Sequence, residues 1–240
     1  MPTTLIYLDR PQLKDAEGTV VRSELDPDGN LIIVLDQTVF YPQGGGQPTD
    51  RGRIETPNGT AEVVRVSFSH GEVFHHAYHS RGSVNVGERA DLHIDAELRW
   101  LHSRLHTGGH LVMTAVDRLL GLPATKGYHF PNGPYVEFEG VVPPESRDSV
   151  AERIQAELDR LVADDSEVTW RFDSVENLRA AGVHMPAGIP EDKPTRVVIT
   201  AGYQSPCGGT HVLRLGALKG LRAKNVRFKS GRTRVTYDVG

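Results

Sequence analysis

Two pairs of side chains, His106 with His110 and Cys207 with His211, limit the fold of this chain more than any other feature. The members of each pair are four residues apart, and about a hundred residues separate the pairs. On a helix, an i, i+4 spacing sets two imidazoles one turn apart on one face, the bite that two ligands of a single tetrahedral ion need. The stretch from Ala96 to Leu120 supplies that helix. Leu98, Leu101, Leu105, Val112, Ala115, Val116, Leu119 and Leu120 keep helical spacing, Asp95 can cap the start, and Gly121-Leu122-Pro123 ends it. Cys207-Gly-Gly-Thr-His211 reads instead as a glycine-rich turn behind Ser205-Pro206. Three imidazoles and one thiolate form a donor set whose softness favours zinc. Taken singly, each pair has a plainer explanation, because the chain holds eleven histidines and a lone cysteine is usually a small buried hydrophobe. Their recurrence together is what favours a composite metal site.

A metalloprotease helix needs Glu directly after the first histidine, and that position is Thr107. The flanking Gly108 and Gly109 each cost about 1 kcal/mol relative to Ala inside a helix. Close approach of a substrate or of another backbone is the expected compensation.

The remaining pattern is α+β. Thr4–Leu8, Gly18–Leu25, Leu31–Asp36, Ala61–Phe68, Glu72–Tyr78 and Arg89–Ile94 are short strand-like runs, punctuated by turns at Asp26-Pro-Asp-Gly29, Pro57-Asn58-Gly59 and His70-Gly71. Residues 1–93 are therefore expected to form a small β-barrel-like module. Residues 94–240 are expected to form an α+β domain with an antiparallel sheet and two long helices. The second helix opens behind Pro143-Pro144 and carries Val150, Ile154, Leu158, Leu161 and Val162. Strands are expected at Tyr135–Phe138, Val168–Phe172 and Arg196–Ala201, a short helix at Ser174–Ala181, and a closing hairpin that turns at Ser230-Gly231. His75, His76 and His79 read as residues of an alternating strand rather than a second metal site, and His102 as a partner behind a ligand. Trp100 and Trp170 are expected in the core.

With 240 residues, 38% of them hydrophobic, the chain can hold one large domain or two small ones. No run approaches the roughly 18 apolar residues of a membrane helix. Met1-Pro2-Thr3-Thr4 lacks the pattern of a secretory signal, and Cys207 has no partner for an internal disulfide, so a cytoplasmic setting is expected. A net charge of −4 argues against a general nucleic-acid binder. That average hides eight Lys or Arg, and no Asp or Glu, between Val212 and Tyr237. Such a run is either a solvated face or, beside a catalytic site, a surface for RNA.

His-x-x-x-His followed far downstream by Cys-Gly-Gly-Thr-His resembles the editing domain of alanyl-tRNA synthetases and of the free-standing AlaX proteins. Thr38-Val-Phe40-Tyr41-Pro-Gln-Gly44-Gly45-Gly46-Gln47-Pro-Thr-Asp50-Arg-Gly52 resembles the glycine-rich signature of their N-terminal module, and it is no P-loop because Gly-Lys-Ser/Thr is missing. Val73-Phe-His-His76 and Arg99 are further echoes, so the likeness runs from about residue 18 to 240. The resemblance implies a zinc-dependent hydrolase of the medium-length AlaX type, without an aminoacylation domain. It would remove serine, and often glycine, wrongly attached to the alanine tRNA. Zinc would be held by His106, His110, Cys207 and His211. Gly44, Gly45, Gly46, Gly208 and Gly209 would let substrate approach the main chain. Thr107 and Gln47 are the expected catalytic-site polar groups that read a serine hydroxyl, while Lys219, Arg222, Lys224 and Arg227 would line the path of the tRNA. One position departs from the family: the residue before the second metal histidine is often Thr or larger, and here it is Gly109. The competing readings are a non-catalytic zinc-stabilised tRNA-binding module, a zinc hydrolase of small esters, and editing of another tRNA such as that for threonine.

Overall fold

The computed structural model describes residues 2–186, 188–229 and 231–240, with the backbone alone at Lys229. The expected turn residue Ser230 lies outside the described residues. The chain divides into two compact units, Met1–Gly44 with Pro48–Leu101, and Gly45–Gln47 with His102–Gly240.

The first unit contains β1 (Thr4–Leu5), α1 (Ile6–Asp9), β2 (Asp15–Leu25), β3 (Leu31–Leu35), β4 (Gln37–Thr38), β5 (Gly52–Thr56), β6 (Gly59–Ser69), β7 (Glu72–Gly82) and β8 (Arg89–Ile94). Six of these strands close a barrel in the order β2-β3-β7-β6-β5-β8. Its interior is filled by Val20, Ile33, Leu35, Ile54, Val63, Val66, Val73 and Leu92 among others, all buried. Strand β3 is buried along its whole length, which fits its unbroken Leu-Ile-Ile-Val-Leu sequence. The expected strand at Thr4–Leu8 ends at Leu5, and Ile6–Asp9 form one helical turn that buries Ile6 and Tyr7. A short apolar run does not by itself separate these two outcomes. Trp100 is 51% exposed rather than in the core.

Two buried polar groups brace this unit. The Arg99 guanidinium donates to both Asp50 carboxylate oxygens, to Pro11 O at 3.0 Å and to Val39 O at 2.7 Å. The Asp50 carboxylate also accepts the Tyr41 N–H at 2.7 Å. His75, fully buried, bonds Thr38 Oγ1 at 2.9 Å and Ile33 O at 3.0 Å. Burial pushes its pKa down to about 4. The folded pKa is depressed below the unfolded value near 6.5, so the unfolded chain binds the extra proton between those values. Stability is complete above about pH 6.5 and is lost as pH falls toward 4, by up to roughly 3 kcal/mol. Urea unfolding of a His75→Gln protein should therefore show a shallower acid slope than the parent over that window; identical slopes would contradict the assignment.

The second unit takes in α2 (Ala96–Leu120) from His102 onward, then β9 (Ala124–Tyr128), β10 (Tyr135–Glu139), α3 (Arg147–Asp164), β11 (Thr169–Asp173), α4 (Val175–Ala180), β12 (Thr195–Thr200), β13 (Tyr203–Pro206), β14 (Arg222–Lys229) and β15 (Arg232–Asp238). Antiparallel strands form one sheet in the order β14-β15-β10-β9 and another in the order β11-β12-β13. Asp95 Oδ1 caps α2 by accepting from the Glu97 and Leu98 amides, as its sequence predicts. Helix α3 buries Val150, Ile154, Leu158 and Leu161. Its Gln155 amide bonds Leu221 O and the Ala223 N–H, tying the helix to the start of β14. Among the described residues, no helix is long and apolar enough to cross a membrane.

Candidate metal centre

Helix α2 presents His106 and His110 on one face, and the turn after β13 brings Cys207 and His211 to them. One donor atom from each of the four lies within 4.8 Å of the others. Cys207 Sγ is 3.4 Å from His106 Nε2 and 3.3 Å from His211 Nε2. Sulfur and nitrogen ligands on one tetrahedral zinc stand roughly 3.6 Å apart, given metal distances of about 2.3 and 2.1 Å. The group therefore has the spacing of a coordination shell.

Hydrogen bonds behind the rings set which nitrogen faces inward. The Thr107 hydroxyl donates to Ser103 O at 2.7 Å, so it accepts from His211 Nδ1–H at 3.1 Å and from the Val212 N–H at 3.2 Å. Gln47 Oε1 accepts from His106 Nδ1–H at 2.7 Å and from the Thr210 N–H at 3.0 Å, while its Nε2 donates to Thr210 Oγ1. With both Nδ1 atoms protonated, the Nε2 lone pairs of His106 and His211 point toward the sulfur. His110 Nδ1 is buried and has no hydrogen-bond partner among the described residues.

Burial, reinforced by neighbouring imidazoles and the Arg196 guanidinium, holds His106 and His211 well below the usual histidine range. His110 is pushed down to about 4, again chiefly by burial. The rings are neutral at pH 7, as ligands must be. Burial raises the Cys207 thiol, against a smaller opposing effect of the Gly209 N–H on its sulfur. A bound dication reverses that preference, because coordination deprotonates a thiol outright. Three neutral imidazole nitrogens and one sulfur, all within 4.8 Å of one another, fit zinc.

A cavity of about 260 Å³ opens onto three of these donors, lined by Gly45, His106, His110, His129, Cys207 and Gly208 among others. It is smaller than the usual range for drug-sized ligands and suits the end of a substrate rather than a whole nucleotide. Of the expected substrate-contacting glycines, Gly45 and Gly208 line it. Gly46, at φ +79°, sits where a Cβ would lie 2.4 Å from Gly127 O. The Gly209 N–H is committed to Cys207 Sγ and its carbonyl to Arg196, which removes that amide from the donors open to a substrate. Gly44 belongs to the first unit, where its carbonyl accepts the Tyr41 hydroxyl. Thr107 and Gln47 are fully buried, and their polar atoms serve the imidazoles.

Two side chains of the site carry no motif in the sequence. His129 stacks on His106 with centroids 4.5 Å apart, and its Nδ1 lies 2.6 Å from the Tyr237 hydroxyl. Burial pushes its pKa down to about 3. The glycines inside α2 were its only trace. A Cβ at Gly109 would lie 2.3 Å from His129 Cε1, and one at Gly108 would meet Leu221 and Val239 at 3.2 Å. Side chains of this unit cover these glycines, not a substrate or a second backbone as expected. Trp170 is half-buried beneath the Arg196 guanidinium, 5.2 Å from its ring centroid, rather than in the core.

The basic run is largely neutralised by acids from elsewhere in the chain. Arg222 pairs with Asp159 at 3.0 Å, Lys224 with Asp238, Arg214 with Asp165, and Arg232 and Arg234 with Glu137. Of the four cations expected to meet tRNA, Lys219 and Arg227 are exposed and have no ion pair among the described residues.

A family model described as tRNA synthetases class II (A) matches residues 13–98. The alanine–tRNA ligase of Parafrankia sp. is 36% identical over 217 residues, covering 87% of this chain and 24% of that one. The ligase of Methanoculleus marisnigri is 30% identical over 248 residues, covering 100% and 26%. The alanyl-tRNA editing protein AlaX-L of Pyrococcus horikoshii is 30% identical over 222 residues, covering 90% and 54%. The chain thus spans about a quarter of the length of these ligases and about half of that editing protein. By these matches and by its own motifs, the chain is AlaX-like: it is related to the alanyl-tRNA editing protein AlaX-L and to the corresponding part of alanine–tRNA ligases.

Proposed function

We propose that this chain is a zinc-dependent aminoacyl-tRNA deacylase that removes serine, and secondarily glycine, from wrongly charged alanine tRNA. The observation that carries this reading is the convergence of His106, His110, Cys207 and His211, the first three of which line a small cavity. Zinc held by those four side chains would supply a Lewis acid able to orient the aminoacyl group or to acidify a water. The bond broken is the ester between the aminoacyl carbonyl and a ribose hydroxyl; water supplies hydroxide to the carbonyl and a proton to the ribose oxygen. Gly45 and Gly208, at the cavity wall, let that ester approach the main chain closely.

Gln47 and Thr107 act as positioning residues. Each fixes one imidazole tautomer, so Gln47→Ala and Thr107→Val should each weaken zinc binding about 10- to 100-fold. Competition against a chromophoric chelator measures this. In the Thr107→Val protein the serine-to-alanine preference should survive, and a lost preference with intact zinc affinity would return Thr107 to substrate contact.

Lys219 and Arg227 are the stronger candidates for phosphate contacts, because Arg222 and Lys224 already have acidic partners. Charge reversal at Lys219 and Arg227 together should lower tRNA affinity and flatten the log–log salt dependence by about two phosphate contacts. An unchanged salt slope would place the acceptor stem elsewhere.

The reading as a whole is tested by stripping the protein with a chelator and restoring zinc during deacylation of serine-charged alanine tRNA. Activity should vanish and return. Zinc-loaded protein that binds this tRNA without cleaving the ester would favour a binding module instead.

A further inference from the structure

We propose that His129 forms the subsite for the side-chain hydroxyl of the misattached amino acid, accepting its hydrogen bond at Nε2. The inference rests on the editing function proposed above and names the atom that makes it selective. Serine differs from alanine by one hydroxyl, and a site rejects alanine strongly only if it holds a buried polar atom that alanine leaves unpaired. Among the described lining residues, His106, His110 and His129 are buried. The first two belong to the four-donor group, which leaves His129. Thr107 is unsuited, since its hydroxyl already donates to Ser103 O and accepts two hydrogen bonds.

The ring is held in one tautomer. The Tyr237 hydroxyl donates to Leu105 O at 2.9 Å, so it accepts from His129 Nδ1–H, and Nε2 keeps its lone pair. Burial raises Tyr237 well above the usual phenol range, which keeps that donor protonated. The backbone beside the ring is fixed as well, because the His129 N–H donates to Gly46 O at 2.8 Å.

Glycines clear the space for it. Added Cβ atoms at Gly109 and Gly127 would stand 2.3 Å from Cε1 and 2.4 Å from Nε2, and one at Gly46 would stand 3.3 Å from Cδ2. Gly109 and Gly127 are not at positive φ, so their absent side chains make room rather than permit a turn. A helix interior that tolerates glycine in order to seat a polar ring against a cavity indicates a ring with a task.

The test compares the whole protein with His129→Phe, which keeps an aromatic ring but no acceptor, and with Gly109→Ala, whose methyl displaces the imidazole. Two readouts are taken: kcat/KM on serine- and alanine-charged alanine tRNA, and calorimetric binding of the non-hydrolysable 3′-amide analogues, seryl- and alanyl-amidoadenosine. The serine-to-alanine ratio should fall about tenfold or more in both variants and both readouts. His129→Gln, which retains an acceptor, should recover part of it. An unchanged ratio in His129→Phe would overturn the subsite while leaving the editing function standing. Parent protein that prefers the seryl amide but hydrolyses neither ester would instead sink the editing function, and the binding ratio would still decide the subsite. Equal binding of both amides by the parent would overturn it.

Discussion

Cys207→Ala protein will purify with almost no zinc, and its deacylation of serine-charged alanine tRNA will fall about a thousandfold. The size follows from losing several kcal/mol of charge stabilisation at the ester, each 1.4 kcal/mol being about a factor of ten. Sγ is the only anionic donor in the group, it touches both His106 Nε2 and His211 Nε2, and it accepts the Gly209 N–H. Without it, three neutral imidazoles face each other in a buried pocket with nothing to hold a dication tightly. The melting temperature should also drop and cease to respond to added zinc, because a ligand that binds only the folded state stabilises it by mass action. Elemental analysis together with the thermal scan checks both parts. Full zinc occupancy in the variant would remove Cys207 from the site.

Breaking the Arg99–Asp50 pair will destabilise the protein by about 3–5 kcal/mol, the cost of stranding one buried charge. Arg99 is 4% and Asp50 1% exposed, and the guanidinium also satisfies the carbonyls of Pro11 and Val39. Arg99→Ala and Asp50→Ala should each lower the urea midpoint strongly. The double variant Arg99→Met/Asp50→Leu should recover much of the loss, since it leaves no uncompensated charge. If the double variant is as unstable as the sum of the singles, the pair is not the source of the stability.

That pair shows how far the sequence could be read. Gln47-x-x-Asp50-x-Gly52 and Arg99 stood out as motif pieces, yet nothing along the chain said that Asp50 and Arg99 meet. The long helix and its cap at Asp95 were legible because periodicity and capping are local. So was the strand-rich first unit, although β4 and β5 escaped there, and β9 and β13 in the second unit, since Gln37–Thr38, Gly52–Thr56, Ala124–Tyr128 and Tyr203–Pro206 lack an apolar run. Cys207 and His211 could be paired with His106 and His110 because the same spacing recurs. His129 could not, for a lone histidine beside a short strand carries no pattern, and only the unexplained Gly109 hinted at a neighbour. The ion pairs of the basic run were hidden for a different reason. Its local charge was real, but Asp159, Asp165, Glu137 and Asp238 reach it only through the fold or the hairpin pairing.

The central claim, ester hydrolysis at this centre, is met most directly by one time course. Alanine tRNA charged separately with serine, glycine and alanine is incubated with zinc-loaded protein, and the surviving ester is followed. Rapid loss of serine, slower loss of glycine and persistence of alanine is the expected result. Intact ester on all three, with one zinc per chain confirmed in the same sample, would contradict it.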